Sequence, residues 1–427
     1  MARELEGEKD LEMMIEGFKK ARDGIEKKGG PRSEFYFWEA LCNHYIRLHG
    51  ANVQGKPIVV SGMFVPVELY HALDIAHIPS ENHAILAAGR SQEEVFRLFN
   101  IAEGYGMSNE VCSPHRISLG LAIEKRIPRP GFVVSTATTC DQTLKLYDIL
   151  ADYYQVPAYM VDSIYLADEK ALEYAREDTR QLISFLEEQS GNKLDYEKLK
   201  GILELSKQMY DYWERLCELK KAIPCPISGR EGIKDLGVML SSCGLAEAVN
   251  YFKARCEELQ EKIDRKEGVI PEEKHRIAWL YVLPLFDLSI VNWLQDVHKA
   301  VIVMDTFSYA TPEIQLDPSD PIDYLTKKPL KWGFVYQTYG ENSKTRFDKT
   351  MGRLCKKYSA DCAIAFAHWS CNQYCGALKL LRDEISREAG VPLLTLDGDI
   401  LDSRVVSSAQ MKNTLTEFFT MIERKAA

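Results

Sequence analysis

The sequence lacks any long hydrophobic run and any excess of basic residues. No apolar run among its 427 residues approaches the ~18 residues needed to cross a membrane. The charged N-terminus, MARELEGEKDLEMM, has no apolar core of the kind found in secretory signals. The formal net charge of -10 argues against nucleic acid as a main partner, because phosphate binding needs a basic face. We therefore expect a cytoplasmic protein that binds neither membranes nor nucleic acid.

Several common motifs are missing as well. No Walker A motif or G-x-G-x-x-G fingerprint follows a predicted strand, so nothing supports ATP or NAD binding by this chain. There is no G-x-S-x-G motif, which excludes the usual nucleophile turn of α/β-hydrolases. A compact C-x2-C-x2-C run of the ferredoxin type is also missing.

Cysteine is present in quantity, with 11 residues. Disulfides are rare in a reducing cytoplasm, and the odd count agrees with free thiols. The remaining roles are buried apolar thiols, a nucleophile or metal ligands.

Strand patterns alternate with helix patterns along the chain, which predicts parallel α/β sheets. We predict two doubly wound, Rossmann- or flavodoxin-like domains at residues 55–166 and 275–427. An N-terminal helical segment, residues 1–54, precedes them, and a helical connector, residues 167–274, joins them. The length agrees with more than one domain.

Finer details of this pattern are also predictable. AHIPSEN is predicted to be a strand ending at Glu81, and a helix is predicted near residues 344–358. Ser91, with Glu94 three residues later, is predicted to cap the N-terminus of a helix.

A weak internal repeat links the two predicted domains. The segments VVSTATTCDQTLKLYDILADYYQVPAYMVDS and AIAFAHWSCNQYCGALKLLRDEISREAGVPLLTLDGD share one order: apolar strand, cysteine, helix, Val-Pro, apolar strand, Asp. Cys140 and Cys371 hold the same place in the two copies. This repetition supports a role for both cysteines better than either position alone.

Candidate site residues follow the strands. In a doubly wound sheet, ligands bind outside the carboxyl ends of the strands. Residues at predicted carboxyl ends are Ser61, Gly62, Met63, Glu81, Cys140 and Cys371, and Cys112 lies in a loop before a helix. If the two domains face each other, the three thiols of Cys112, Cys140 and Cys371 meet in the cleft. Three thiolates from separate elements suit an iron–sulfur cluster that keeps one iron open.

Other interpretations stay open for these residues. A cysteine is often simply a small buried residue. Cys371 and Cys375 form a C-x3-C half of a zinc site, although no second half is present. Glu81 is a candidate general base, a solvated loop acid or a local cap. His115 and Arg116 could neutralise a cluster, bind an anion or lie on the surface of a helix N-terminus.

Six motifs, taken in order and spacing, resemble the 2-hydroxyacyl-CoA dehydratases: GKPIVVSGMFVPVEL, IPSEN, VCSPHR, TTCDQ, HWSC and LDGDILDSR. The related benzoyl-CoA reductase subunits share much of this pattern. The resemblance covers roughly residues 50–420. PSEN and the DGDxxDxR ending look more like the larger, substrate-binding α subunit than like the smaller β subunit.

The resemblance implies a 4Fe–4S cluster held by Cys112, Cys140 and Cys371, with the open iron taking the thioester carbonyl oxygen of an acyl-CoA substrate. It implies elimination of water from an (R)-2-hydroxyacyl-CoA to a 2-enoyl-CoA through a ketyl radical. The electron would come from a separate ATP-dependent iron–sulfur activator, in keeping with the missing nucleotide motifs. A smaller homologous β subunit would complete a heterodimer.

The resemblance also bears on the catalytic residues. Glu81 matches an acidic residue of the α-subunit active site. A serine that contacts the open iron in some dehydratases aligns with Met63, whereas Ser61 lies two residues earlier. We therefore take Glu81 and Ser61 as the catalytic candidates, and the Met63 position leaves the substrate open.

Three other functions remain. A benzoyl-CoA-reductase-type subunit would use the same electron chemistry to reduce an aromatic ring. An iron–sulfur electron-transfer or scaffold protein would bind no acyl-CoA. An α/β protein whose thiols are only packing would be colourless when purified without oxygen.

Overall fold

The computed structural model describes residues 5–138, 140–162, 168–336 and 347–426. As predicted, the chain is α/β, with two four-stranded parallel sheets surrounded by helices. The strands in the described residues are β1 (Ile58–Ser61), β2 (Ala76–Pro79), β3 (Phe132–Thr136), β4 (Ala158–Val161), β5 (His275–Leu280), β6 (Ala300–Asp305), β7 (Cys362–His368) and β8 (Leu393–Gly398).

The α-helices of the same residues are α1 (Glu8–Lys28), α2 (Arg32–Gln54), α3 (Val67–Ala72), α4 (Ser80–Ala88), α5 (Gln92–Tyr105), α6 (Ser113–Ile123), α7 (Asp141–Tyr154), α8 (Glu169–Ser190), α9 (Tyr196–Leu219), α10 (Gly232–Ser242), α11 (Ala246–Asp264), α12 (Ser289–His298), α13 (Pro321–Lys327), α14 (Gly333–Tyr336), α15 (Phe347–Lys357), α16 (Asn372–Glu388) and α17 (Ser408–Ala426). Short 3-10 turns lie at Gly229–Glu231 and Lys328–Lys331. None of the helices described is both long and apolar enough to span a membrane.

The two sheets have the same strand order. The first sheet runs β2-β1-β3-β4 and the second runs β6-β5-β7-β8, with every pairing parallel. The repeat predicted from the sequence is therefore real, because β3–α7–β4 and β7–α16–β8 occupy equivalent places. In each sheet the strand order reverses beside the first strand, and ligands of doubly wound sheets bind at such a reversal.

Mostly apolar runs place five of the described strands, among them the edge strand β6, in the core. All seven residues of β7 are buried, and so are all the residues of β1, β3, β5 and β6. Strands covered by helices on both faces take this pattern instead of alternating with polar residues. The edge strand β4 has no fully buried residue, which agrees with its position at the rim.

Local signals set most element boundaries. The predicted cap is confirmed, since Ser91 Oγ accepts a hydrogen bond from Glu94 N at 3.1 Å. The predicted end of the second strand is wrong: β2 stops at Pro79, and Glu81 lies in the first turn of α4. Proline has no N–H for a strand ladder, so the chain turns into the helix immediately.

The N-terminal helices α1 and α2 pack against each other, and α2 also packs against α10 and α11. Of the helix predicted near residues 344–358, the part from residue 347 is found as α15, and residues 344–346 lie outside the described residues. The domain boundaries given above stay predictions.

A buried ion pair joins the first α/β domain to the second. Lys328 Nζ donates to Glu68 Oε2 at 2.5 Å, and both side chains are almost wholly buried. Ser206 Oγ donates to the other carboxylate oxygen at 2.7 Å. The pair connects α3, beside the first sheet, with the 3-10 turn that precedes α14.

Candidate active site

A cavity of about 100 Å³ lies where the carboxyl ends of the two sheets meet. Residues after β1, β2 and β3 line one side, and residues after β5 and β7 line the other. Most of its walls are apolar, which favours a site from which water is excluded. The lining residues used below are Met63, Phe64, Glu81, Cys112, His115, Cys140, Thr143, Tyr281 and Cys371.

The structure brings together the three cysteines predicted as ligands. Each one is the N-cap residue of a helix: Cys112 of α6, Cys140 of α7 and Cys371 of α16. Helix N-termini carry free N–H groups and partial positive charge, which stabilises anions. Three such ends directed at one cavity favour negatively charged sulfur there.

A polar side chain acts on each thiol. His368 Nε2 lies 3.2 Å from Cys112 Sγ. Hydrogen bonding by Thr143 lowers the pKa of Cys140, and hydrogen bonding by Tyr281 lowers that of Cys371, each against the larger effect of burial.

In the protein alone these thiols hold their protons. Burial, followed by the charges of neighbouring groups that include the other two cysteines, raises the pKa of Cys112 well above its usual range. Burial raises the pKa of Cys140 to about 11 and also raises the pKa of Cys371. A bound metal reverses this balance, because a coordinating thiol is deprotonated outright.

The three thiols suit an iron–sulfur cluster by their chemistry. Cysteine thiolates are the usual ligands of such clusters, and three cysteines line this one cavity. The charges of Cys140 and Cys371 contribute to the raised pKa of Cys112, which agrees with their nearness to it. The residues present therefore fit an iron–sulfur cluster.

Gln142, on the first turn of α7, ties the three cysteine segments together. Its Oε1 accepts a hydrogen bond from Cys112 N at 2.8 Å, and its Nε2 donates to Ser370 O at 2.7 Å. Gln142 follows Cys140 by two residues, and Ser370 directly precedes Cys371. One buried amide thus positions all three ligand segments.

Glu81 lies in the cavity wall within a small polar group. Tyr147 Oη donates to Glu81 Oε2 at 3.1 Å, and His115 Nε2 lies 3.4 Å from Glu81 Oε1. Glu81 is buried, so the interpretation as a solvated loop acid is wrong. The Nδ1 atom of His115 is buried without a hydrogen-bond partner in the structure.

Arg116 is neither a surface residue nor part of the cavity. Its side chain is fully buried. Nη1 donates a hydrogen bond to Glu103 Oε1 at 3.1 Å, and Nη2 donates one to Asp402 Oδ2 at 3.3 Å. Asp402 also accepts two hydrogen bonds from the Arg404 side chain. The LDGDILDSR motif therefore attaches the second domain to α6, which contains Arg116.

Ser61 and Met63 point in different directions. Tyr70 Oη donates to Ser61 Oγ at 3.1 Å, and Ser61 is not part of the cavity wall, whereas Met63 is. Phe64 and Tyr281 follow the first strand of each sheet with φ of 66° and 89°. Such conformations strain non-glycine residues and cluster at functional sites.

The other cysteines lie outside the cavity wall. Cys375, on the first turn of α16, donates from Sγ to His368 O at 3.3 Å. Cys42, Cys217 and Cys256 are buried in the core. Four more are buried as well: Cys225, Cys243, Cys355 and Cys362.

Sequence reasoning missed the groups that support the cysteines, namely Gln142, Thr143, Tyr281, His368 and Asp399. His368 and Asp399 belong to the motifs HWSC and LDGDILDSR, and Gln142 follows Cys140 in TTCDQ, so adjacency to a candidate cysteine was the available signal.

Comparisons with known proteins find relatives along most of the chain. Residues 62–422 match the family described as 2-hydroxyglutaryl-CoA dehydratase, D-component. The chain is 26% identical to the (R)-phenyllactyl-CoA dehydratase alpha subunit of Clostridium sporogenes, over 84% of this chain and 88% of that protein. It is 25% identical to a benzoyl-CoA reductase subunit of Thauera aromatica, over 91% and 94%. It is 23% identical to the (R)-2-hydroxyisocaproyl-CoA dehydratase alpha subunit of Clostridioides difficile, over 91% and 95%.

The match spans most of the sequence, so the chain belongs to the family of the 2-hydroxyglutaryl-CoA dehydratase D-component. This confirms the resemblance predicted from the six motifs. Dehydratases are hydro-lyases, which supports the predicted enzyme class.

Proposed function

We propose that this chain is the catalytic α subunit of an (R)-2-hydroxyacyl-CoA dehydratase, with a 4Fe–4S cluster on Cys112, Cys140 and Cys371. The observation that carries the proposal is the convergence of three cysteine N-caps on one cavity that also contains Glu81. The alpha subunits among the relatives support the same activity.

When bound, the cluster would supply one electron to the substrate thioester and take it back, which allows the 2-hydroxyl to leave and acidifies the hydrogen on the next carbon. The chain's own residues bind and orient the substrate in an apolar cavity from which water is largely excluded. Glu81 is the candidate for moving the proton or assisting the departing hydroxyl. Tyr147 and His115 contact its two oxygens and fix the direction of the carboxylate.

The proposed partners are a smaller homologous β subunit and an ATP-dependent iron–sulfur activator. The relatives are themselves single subunits of larger enzymes, which supports a multi-subunit enzyme here as well. The lack of a nucleotide-binding motif supports an electron donor that is a separate protein.

A second candidate is a benzoyl-CoA-reductase-type subunit. The cavity favours it in one respect, because Met63 lines the wall and the Ser61 hydroxyl is bonded to Tyr70. A thioether in the cavity wall suits an aromatic acyl group as well as an aliphatic one.

Anaerobic assays with the partner and the activator test the two candidates. Loss of a 2-hydroxyacyl-CoA and appearance of the 2-enoyl-CoA supports the dehydratase. Reduction of benzoyl-CoA with no dehydration of any 2-hydroxyacyl-CoA would replace it with the second candidate. A Met63→Ser variant, which restores the hydroxyl found in some dehydratases, should change the preference among acyl groups while the iron content stays the same.

A further inference from the structure

His368 lies between a proposed cluster ligand and a buried carboxylate. Its Nε2 is 3.2 Å from Cys112 Sγ, and its Nδ1 is 3.5 Å from Asp399 Oδ2. Neither His368 nor Asp399 has any exposed surface. His368 is the last residue of β7, and Asp399 directly follows β8. The end of the second sheet therefore contacts a cysteine of the first domain.

The hydrogen bond between His368 and Cys112 can have only one direction once the sulfur is bound to iron. A bound thiolate has lone pairs and no proton, so it can only accept a hydrogen bond. Nε2 must then be the donor. A hydrogen bond to a charged acceptor is stronger than one between neutral groups.

The imidazole is held in this direction by packing. The His368 ring stacks on Tyr281, with ring centres 6.0 Å apart and planes at 22°. Nδ1 makes no hydrogen bond within the described residues, although Asp399 Oδ2 lies 3.5 Å away. The single proton of a neutral ring is therefore free to sit on Nε2, where the Cys112 sulfur accepts it.

The three cysteines differ in their polar neighbours. The hydroxyl side chains of Thr143 and Tyr281 act on Cys140 and Cys371 and lower their pKa values. Cys112 alone of these three lies within hydrogen-bond distance of an imidazole nitrogen.

We propose that His368 is a positioning residue that donates a hydrogen bond to cluster-bound Cys112 and raises the reduction potential of the cluster. Hydrogen bonds to the sulfurs are among the features that set the potential of a cluster, because they stabilise the more negative, reduced form. The inference rests on the proposed function, since it requires the cluster.

The test is a redox titration of anaerobically purified protein, followed by electron paramagnetic resonance. His368→Phe keeps a ring that stacks on Tyr281 but removes the N–H. His368→Gln returns an N–H donor. His298→Gln, at the end of α12 and away from the cavity wall, controls for loss of a histidine.

The midpoint potential of His368→Phe should be more negative than that of the wild type, with His368→Gln in between and His298→Gln unchanged. An unchanged potential in a fully loaded His368→Phe variant overturns the inference. If His368→Phe cannot hold the cluster, the iron content of His368→Gln is the deciding measurement. Iron retained by His368→Gln supports an N–H donor at this position, and loss of its iron overturns the inference. A wild type without a cluster would overturn the proposed function instead.

Discussion

Gln142 Nε2 donates a 2.7 Å hydrogen bond to the carbonyl oxygen of Ser370, although the two residues lie beside different sheets. The other end of the same amide accepts from the backbone N–H of Cys112. The positions of the three cysteines relative to one another therefore depend on one side chain. The two helix N-termini that hold Cys140 and Cys371 are coupled through it.

Gln142→Leu should lower the iron retained by the protein and speed its loss to a chelator. The substitution leaves a buried N–H and a buried carbonyl unpaired, each at a cost of ~1–3 kcal/mol. Iron content and the rate of chelation measure the effect. Gln295→Leu is the matched control, because Gln295 is also buried and donates one hydrogen bond, to Ser228 at 2.7 Å. Equal iron retention in the two variants would contradict the role given to Gln142.

Glu81→Gln should lose most dehydratase activity while the iron content and spectrum stay at the wild-type level. The amide cannot accept a proton, although it fills the same space. Tyr147→Phe should cause a smaller loss, because it removes only the hydrogen bond to Glu81. Tyr154→Phe, on the same helix and buried, serves as its control. Full activity of Glu81→Gln with an intact cluster would remove Glu81 from the catalytic group.

The buried pair of Glu68 and Lys328 predicts a strong effect on stability. Lys328→Met should destabilise the fold by about 3–5 kcal/mol, since it leaves the carboxylate buried without its partner. Glu68→Gln combined with Lys328→Met should recover much of that loss. Thermal unfolding midpoints of the two variants make the comparison. A double variant no more stable than Lys328→Met would mean that the unpaired charge is not the cause.

Buried histidines predict a loss of stability in mild acid. Burial lowers the pKa of both His77 and His83 from 6.5 to about 4. The unfolded chain therefore binds protons first as the pH falls. Their contribution to stability is complete above the unfolded pKa and is lost as the pH falls from there toward 4.

The unfolding midpoint should accordingly decline from about pH 7 to about pH 5, and His83→Gln should decline less steeply. Glutamine does not titrate and can still accept the hydrogen bond that Tyr45 Oη makes with His83 Nδ1 at 2.8 Å. If the unfolding midpoints of the wild type and of His83→Gln declined equally with pH, His83 would not contribute to the decline.

Local sequence patterns were enough to predict the positions of Cys140 and Cys371 in the fold. A predicted strand followed by a predicted helix places each cysteine at a helix N-cap, and the internal repeat strengthened both predictions. Ser61 was chosen by the same strand-end rule, but its hydroxyl accepts a hydrogen bond from Tyr70 and it lies outside the cavity wall, whereas Met63, beyond the end of the strand, is part of that wall. Residues such as Gln142 and His368 act through contacts across 228 to 256 positions of sequence, which no local pattern contains.

The most direct test of the proposed cluster is iron and sulfide content, with a visible spectrum, on protein purified without oxygen. The wild type should hold about four irons per chain and show a brown charge-transfer band, and Cys371→Ala should lose both. Cys375→Ala, on the same helix but outside the cavity wall, should keep both. A wild type without iron after reconstitution, or equal iron in the two variants, would contradict a cluster held by Cys112, Cys140 and Cys371.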